Sequence, residues 1–475
     1  MQDIYAERER LYFLPVGGTA MAPLAGLLQA MGHDVEGVDS GLYPPMSTLL
    51  AELGIAVRIG WDPRKIPADL NRVIIGNAVP RDNPEVEAVL RRGLPFLSQA
   101  EAVAHYVLAR GPSSLVVAGT HGKTTTSSLL AWILEDTDTD PSYLVGGLPI
   151  WNHSGFRLGR GAWMVIEGDE YNTAFFDRGP KFLHYRPHVF ILGPVEFDHA
   201  DLYPNLDAVL TAFRAGTAQV PKSGAVVVNA WSEHALAATR DATAPVVRVG
   251  SEPGCDLVLN SWAPTPEGGW AELRWRGENL KMFLPLAGYH NAQNAALALA
   301  ASLVIGLPAT KTLEALARFP GIARRMETRG EAAGVTVVDD FAHHPTALGV
   351  TIAAARQRWP GRRLVVAFEP RSLTAARRDF GPAYLEALSG ADLVLVATPF
   401  HSGRLAEDEI LDRDELDREL EALGVESLMP GPDDDSVEVL LPHLLRGDVV
   451  LGCSSGSFDR FHGRLLEALE AQSGG

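Results

Sequence analysis

The chain has 475 residues, 46% of them hydrophobic and 21% charged, and a formal net charge of −18. That length is too great for a single hydrophobic core and that composition excludes wholesale disorder, so roughly two to four folded domains are expected. The acidic balance argues against a general nucleic-acid or membrane-surface binder, though it leaves room for anionic ligands in a locally basic cleft.

Cys255 and Cys453 lie too far apart to suggest a disulfide framework or metal cluster. The charged opening MQDIYAERER lacks the apolar stretch of a signal peptide, and the most apolar run, Ala295 to Leu307, is too short to span a bilayer. Reducing cytoplasm is the expected setting.

In chain order, short apolar strands alternate with longer helical patterns, the signature of α/β architecture with parallel sheets. A first block has strands at Leu11–Val16 and Asp34–Val38 with a helix between them through Met31, then Val73–Ile75, ending near Arg110–Ser114. The second opens with Leu115–Ala118 and a helix over Thr124–Glu135, then strands at Trp163–Ile166, His188–Leu192 and Ala225–Asn229. From about Pro245 to Leu286 short alternating strands with Pro and Gly turns predict an all-β portion, and an Ala/Leu helix follows Gly288. Arg318–Gly334 reads as a connection. The third block has strands at Val335–Val338, Arg363–Ala367, Asp392–Ala397 and Asp448–Leu451, and the charged stretch Glu407–Leu423 reads as an exposed helical face.

The strongest motif is Gly119-Thr120-His121-Gly122-Lys123-Thr124-Thr125, between an apolar strand and an apolar-periodic helix. Glycines let backbone approach a phosphate, the helix N-terminus faces its charge, Lys123 adds a cation, and Thr124 is placed to ligate Mg²⁺. Val117 stands where the standard spacing needs glycine, so the loop is a shortened variant. Acidic residues end two strands, at Glu167-Gly168-Asp169-Glu170 and at Glu196-Phe197-Asp198-His199. Each alone could be solvated, but together with the loop they suggest a metal and nucleotide site.

Other stretches stay open at this level. Gly17-Gly18-Thr19 with Asp39 at the end of the second strand fits a nucleotide-diphosphate site or a plain tight turn. His290 and Asn291 could cap the Ala-rich helix or reach an adenine edge. Arg324 and Arg325 could be solvated. Asp339-Asp340 with His343-His344 could form a substrate site or a capped strand end.

Taken together and in this order, these stretches resemble the Mur ligases, ATP-dependent enzymes that build the peptide of bacterial cell-wall precursors. The resemblance implies three domains: a Rossmann-like UDP-sugar domain (1–110), a central P-loop ATPase-like α/β domain with a small β portion (111–320), and a Rossmann-like C-terminal ligase domain (321–475). It also implies that the carboxylate of UDP-N-acetylmuramate is activated by ATP as an acyl phosphate and then attacked by a peptide amine. Tyr43-Pro44-Pro45-Met46-Ser47-Thr48, Glu170-Tyr171-Asn172-Thr173-Ala174-Phe175-Phe176-Asp177 and Phe368-Glu369-Pro370-Arg371-Ser372 are similar to the branch that attaches the ready-made tripeptide L-Ala-γ-D-Glu-meso-diaminopimelate in cell-wall recycling. The alternative is the branch that adds L-alanine alone in de novo synthesis.

By the same resemblance, Lys123, Glu167, His199 and His343 serve catalysis, and Thr124, Glu167 and His199 hold Mg²⁺. Gly119 to Thr125, His290, Asn291, Arg324, Arg325 and Asp340 bind ATP. Gly17, Gly18, Thr19 and Asp39 bind the UDP-sugar, and Arg371 with Ser372 the incoming murein tripeptide. The chain departs from the family pattern in having Pro194 two residues before Glu196, where Asn is usual, and in having no lysine between His199 and Val220. With contacts to the nucleotide spread over the second and third blocks, ATP is expected to favour a closed arrangement. No motif indicates an oligomeric state.

Overall fold

The computed structural model describes residues 8–197, 202–373, 375–400 and 405–473. Its packing forms two units: residues 1–260, 272–281 and 293–320 make the first, and residues 261–271, 282–292 and 321–475 the second.

The first unit contains an N-terminal sheet of five parallel strands in the order Ala56–Ile59, Asp34–Asp39, Arg10–Leu14, Arg72–Ile75, Phe96–Ser98. Leu11 to Leu14 are buried on both faces, as apolar runs in covered parallel sheets are. The chain leaves Arg10–Leu14 toward one edge and later returns to its other side, so strand order reverses there. Ligand crevices of open α/β sheets form at such reversals, outside the strands' carboxyl ends. Gly26 on the helix Met21–Ala30 packs against Phe156, whose ring would lie 2.5 Å from any added Cβ.

A second sheet runs Leu257–Thr265, Val246–Gly250, Ala225–Asn229, Val189–Leu192, Ser113–Ala118, Trp163–Glu167, Ser142–Leu144, Phe156–Arg157. Neighbours are parallel apart from the last pair. Ser113–Ala118 is central, with Val117 opposite both Ile191 and Glu167, so three strands deliver their carboxyl ends to one place. The all-β portion expected from Pro245 differs at its start. Val246–Gly250 is a parallel member of the main sheet, because its Val-rich run is buried like its neighbours. The strands Gly268–Trp275 and Glu278–Leu284 then follow through tight glycine turns.

The second unit carries a six-stranded sheet in the order Glu327–Ala332, Val335–Asp340, Val449–Cys453, Leu364–Phe368, Leu393–Val396, Glu426–Leu428, parallel except for the first pair. Val337 faces one core and Val338 the other, so both faces are covered. Asp340, Glu369 and Ser454 all stand at the carboxyl ends of adjacent strands. Two expectations change in detail. Part of the supposed connection is the edge strand Glu327–Ala332, and the charged stretch splits into a short turn at Glu407–Glu409 and the helix Arg413–Ala422, which buries Leu416 and Leu420.

Candidate nucleotide and ligase site

Ser113–Ala118 ends as Gly119 adopts φ 127°, and the helix Lys123–Asp136 begins after Gly122 at φ 76°. Both angles lie where glycine alone is unstrained. Neither position has room for a side chain, since a Cβ would lie 3.0 Å from the Gly193 backbone and 2.4 Å from Asn294 Oδ1 respectively. The loop thereby presents the first N–H groups of the helix to one point, the arrangement that favours a phosphate.

A second loop holds it in place. Thr120 N donates to Pro194 O (2.8 Å), Glu196 N donates to Thr120 Oγ1 (3.0 Å), and His121 Nε2 lies 3.2 Å from Glu196 Oε2. Pro194 thus contributes its carbonyl, which its ring leaves intact.

The strand Trp163–Glu167 brings three carboxylates beside the loop, and their partners divide them. Lys123 Nζ lies 2.8 Å from Glu170 Oε2 and donates to Gly119 O at 2.8 Å, while Lys181 Nζ lies 3.1 Å from Asp169 Oδ2. Burial opposes the charge on Lys123, yet Glu170 and Asp169 hold its pKa above the ordinary lysine value, so it stays cationic. Glu167 meets neutral donors: Gly146 N at 2.8 Å, Thr124 Oγ1 at 3.0 Å and Ser127 Oγ at 3.4 Å. Burial, then repulsion from Asp169, pushes its pKa up despite those donors and Lys123. A largely desolvated carboxylate whose hydrogen bonds come from neutral groups alone is costly to ionise, and a divalent cation relieves that cost. With Thr124 bonded to the same carboxylate, the residues fit Mg²⁺. His199 lies outside the described residues.

At the N-terminal sheet, Asp39 accepts from Gly17 N at 2.8 Å and from Gly41 N at 3.3 Å, tying two strand-end turns together at the reversal point. A Cβ on Gly17 would sit 2.8 Å from Asp39 Oδ2, whereas Gly18 has space and Thr19 is exposed.

In the second unit, Gly288 (φ 96°) lets the His290 ring lie against it, and Asn291 Nδ2 donates to Ala287 O at 2.8 Å. Burial, reinforced by Arg325, lowers the His290 pKa to about 4, so the ring is neutral near pH 7. Arg325 also acts on Asp340, whose carboxylate accepts from Met326 N and Ala342 N, both at 2.8 Å. Arg324 and Arg325 lie over the Phe341 ring at 5.1 and 5.0 Å. The Arg324 guanidinium donates to Ser454 O and Gly456 O, each at 2.6 Å. His343 Nδ1 is 3.2 Å from Phe341 O, and the His343 carbonyl accepts from Tyr384 OH. Arg371 stands 4.1 Å from the Phe400 ring centroid, and Ser372 Oγ accepts from Ala375 N at 2.9 Å.

The structure thus brings Gly119 to Thr125 together with Glu167, Gly17 with Asp39, and His290 and Asp340 under the influence of Arg325. Three contributors have roles that sequence reasoning did not assign. Glu170 is the ion-pair partner of Lys123, Gly146 donates to Glu167, and Asn294 abuts Gly122. Glu170 stood in the strand-end acidic cluster and Asn294 three residues after Asn291 on one helix face, whereas Gly146 carried no signal.

A strand, phosphate loop and helix beside strand-end carboxylates, within doubly covered parallel sheets, define a nucleotide-using α/β enzyme. Residues 10–110 match the Mur ligase family catalytic domain, residues 117–302 the Mur ligase middle domain, and residues 324–456 the Mur ligase glutamate ligase domain. A relative from Escherichia coli (strain K12), a UDP-N-acetylmuramate–L-alanyl-gamma-D-glutamyl-meso-2,6-diaminoheptandioate ligase, is 36% identical, covering 97% of this chain and 98% of its own. A UDP-N-acetylmuramate–L-alanine ligase from Burkholderia ambifaria is 32% identical, covering 98% and 99%. Among solved structures, a murein peptide ligase from Psychrobacter arcticus 273-4 superposes with a TM-score of 0.75 at 31% identity, covering 97% and 99%. The chain belongs to the Mur ligase family.

Proposed function

We propose that this protein joins L-alanyl-γ-D-glutamyl-meso-diaminopimelate to UDP-N-acetylmuramate at the expense of ATP, in the recycling of cell-wall peptide. It is an ATP-dependent amide-bond-forming ligase of the Mur family. The observation that carries the chemistry is the clustering of Lys123, Thr124, Glu167 and Glu170 at the phosphate loop. The tripeptide as acceptor is supported by the 36% identity to the Escherichia coli tripeptide ligase over nearly both whole chains.

In this reading the lactyl carboxylate attacks the γ-phosphorus of ATP, releasing ADP and leaving an acyl phosphate. The peptide α-amine then attacks the carbonyl, and the tetrahedral intermediate expels phosphate to give the amide. Lys123 and the loop N–H groups hold the phosphates and stabilise developing charge. Thr124 and Glu167, with His199, would hold Mg²⁺, which would supply charge neutralisation at the phosphates. Neutral His290 and Asn291 take the adenine, and Arg325 the phosphates. Arg324 is occupied by loop carbonyls. Asp340 organises the turn that carries Arg325 and His343. Gly17, Gly18, Thr19 and Asp39 receive the UDP-sugar, and Arg371 and Ser372 the peptide. The working division is residues 1–110, 111–320 and 321–475, and the setting is cytoplasmic; no helix among the described residues is long and apolar enough to cross a membrane.

The test is a ligation assay with UDP-N-acetylmuramate, Mg-ATP and either the tripeptide or free L-alanine. Tripeptide product with phosphate release, abolished by Lys123→Ala, is expected. Turnover with L-alanine and none with tripeptide would overturn the acceptor assignment in favour of the L-alanine ligase.

A further inference from the structure

Arg371 is held on several sides by groups that belong to neither the phosphate loop nor the sugar site. Its guanidinium lies 4.1 Å over the Phe400 ring, a cation–π contact, and Nη1 lies 3.4 Å from Glu369 Oε1. Glu369 is buried and accepts from the Ser454 hydroxyl, whose oxygen accepts in turn from Gly456 N at 2.8 Å. The third side is Gly456 itself. A Cβ built there would fall 2.0 Å from both Cδ and Nε of Arg371.

Gly456 lies outside the left-handed region, so a side chain there is opposed by the Arg371 side chain and not by backbone conformation. The atoms in the way belong to the Arg371 side chain, so a larger residue would move Arg371 before it moved the loop. The loop is in turn fixed by Arg324, which donates to the carbonyls on both sides of Ser455 at 2.6 Å. With 28% of its side chain exposed, Arg371 is reachable by a ligand, and a planar guanidinium matches a carboxylate through paired N–H donors.

We propose that Gly456 and Arg324 are positioning residues that seat Arg371 for a carboxylate of the acceptor, an inference that rests on the reading of Arg371 as acceptor-binding. Neither needs to touch substrate. Gly456 provides the slot along which the arginine lies, and Arg324 keeps that slot in place.

The test is a double-mutant cycle on the full chain, with KM measured separately for each substrate. Gly456→Ala should raise the KM for the peptide by about tenfold, the scale of one misaligned charge-assisted contact, and leave the KM for ATP and UDP-N-acetylmuramate unchanged. Arg371→Ala should raise the peptide KM at least as much, and adding Gly456→Ala to it should do nothing further. Arg324→Gln, which disturbs the loop without crowding it, should shift the peptide KM in the same direction. An unchanged peptide KM in Gly456→Ala, effects of Gly456→Ala and Arg371→Ala that multiply, or a KM for ATP that moves equally would each overturn the proposal. If the wild type uses L-alanine and not the tripeptide, the acceptor assignment fails, and the same cycle run on L-alanine still decides the seating.

Discussion

Glu167, Asp169 and Glu170 stand within four residues, and nothing in their spacing says which would serve a metal. Their partners distinguish them, and one of those partners, Lys181, comes from a separate segment. Lys123 takes Glu170 and Lys181 takes Asp169, leaving Glu167 with neutral donors. The acidic cluster was therefore legible in the sequence, but the division of labour within it was not, because it depends on which lysine reaches which carboxylate. Removing only the Glu167 charge should separate metal from nucleotide. In Glu167→Gln, ADP alone should still raise the melting temperature, while the further rise given by Mg²⁺ should require more than about tenfold higher metal concentration. An Mg²⁺ increment equal to that of wild type would remove Glu167 from the metal site.

At the scale of elements, strong patterns were readable and weak ones were not. The strand, loop and helix from Ser113 to Asp136 showed because an apolar run meets glycines and then a helical period. Glu327–Ala332 escaped because an edge strand needs pairing on one side only, and its exposed residues are polar around Gly330. The start of the helix Tyr289–Val304 carries a consequence for stability. His290 is pushed down to about 4 by burial and by Arg325, whereas an unfolded chain protonates it near 6.5. Between those values the unfolded chain holds the extra proton, so stability from this group is complete above pH 6.5 and is lost as pH falls toward 4. The full loss is at most about 3 kcal/mol. Urea unfolding at pH 7, 6, 5 and 4 (values spanning that window) should show a shallower decline in His290→Gln than in wild type, and identical declines would refute the assignment.

For the whole molecule, the family and the α/β class were legible because motifs spread across the chain had to occur in order, a condition chance rarely meets. Composition gave a different kind of information. A net charge of −18 repels UDP-N-acetylmuramate, ATP and an acidic peptide at a distance, even where a local site attracts them. Raising ionic strength from about 0.01 M to about 0.15 M should therefore raise kcat/KM for these anions by roughly two- to fivefold as the repulsion is screened. A steady fall over that range would mean that local positive fields dominate their approach. Within this acidic body the phosphate-loop lysine is never a bare cation. Its ammonium already rests on Glu170 and on two loop carbonyls. With Lys123 on the phosphates as proposed, ATP binding would be an exchange of ligands around one nitrogen, its free energy a difference between two well-satisfied states. The same exchange would run backward as ADP leaves, so the carboxylate that competes for Lys123 would also help to clear the site for the next turnover.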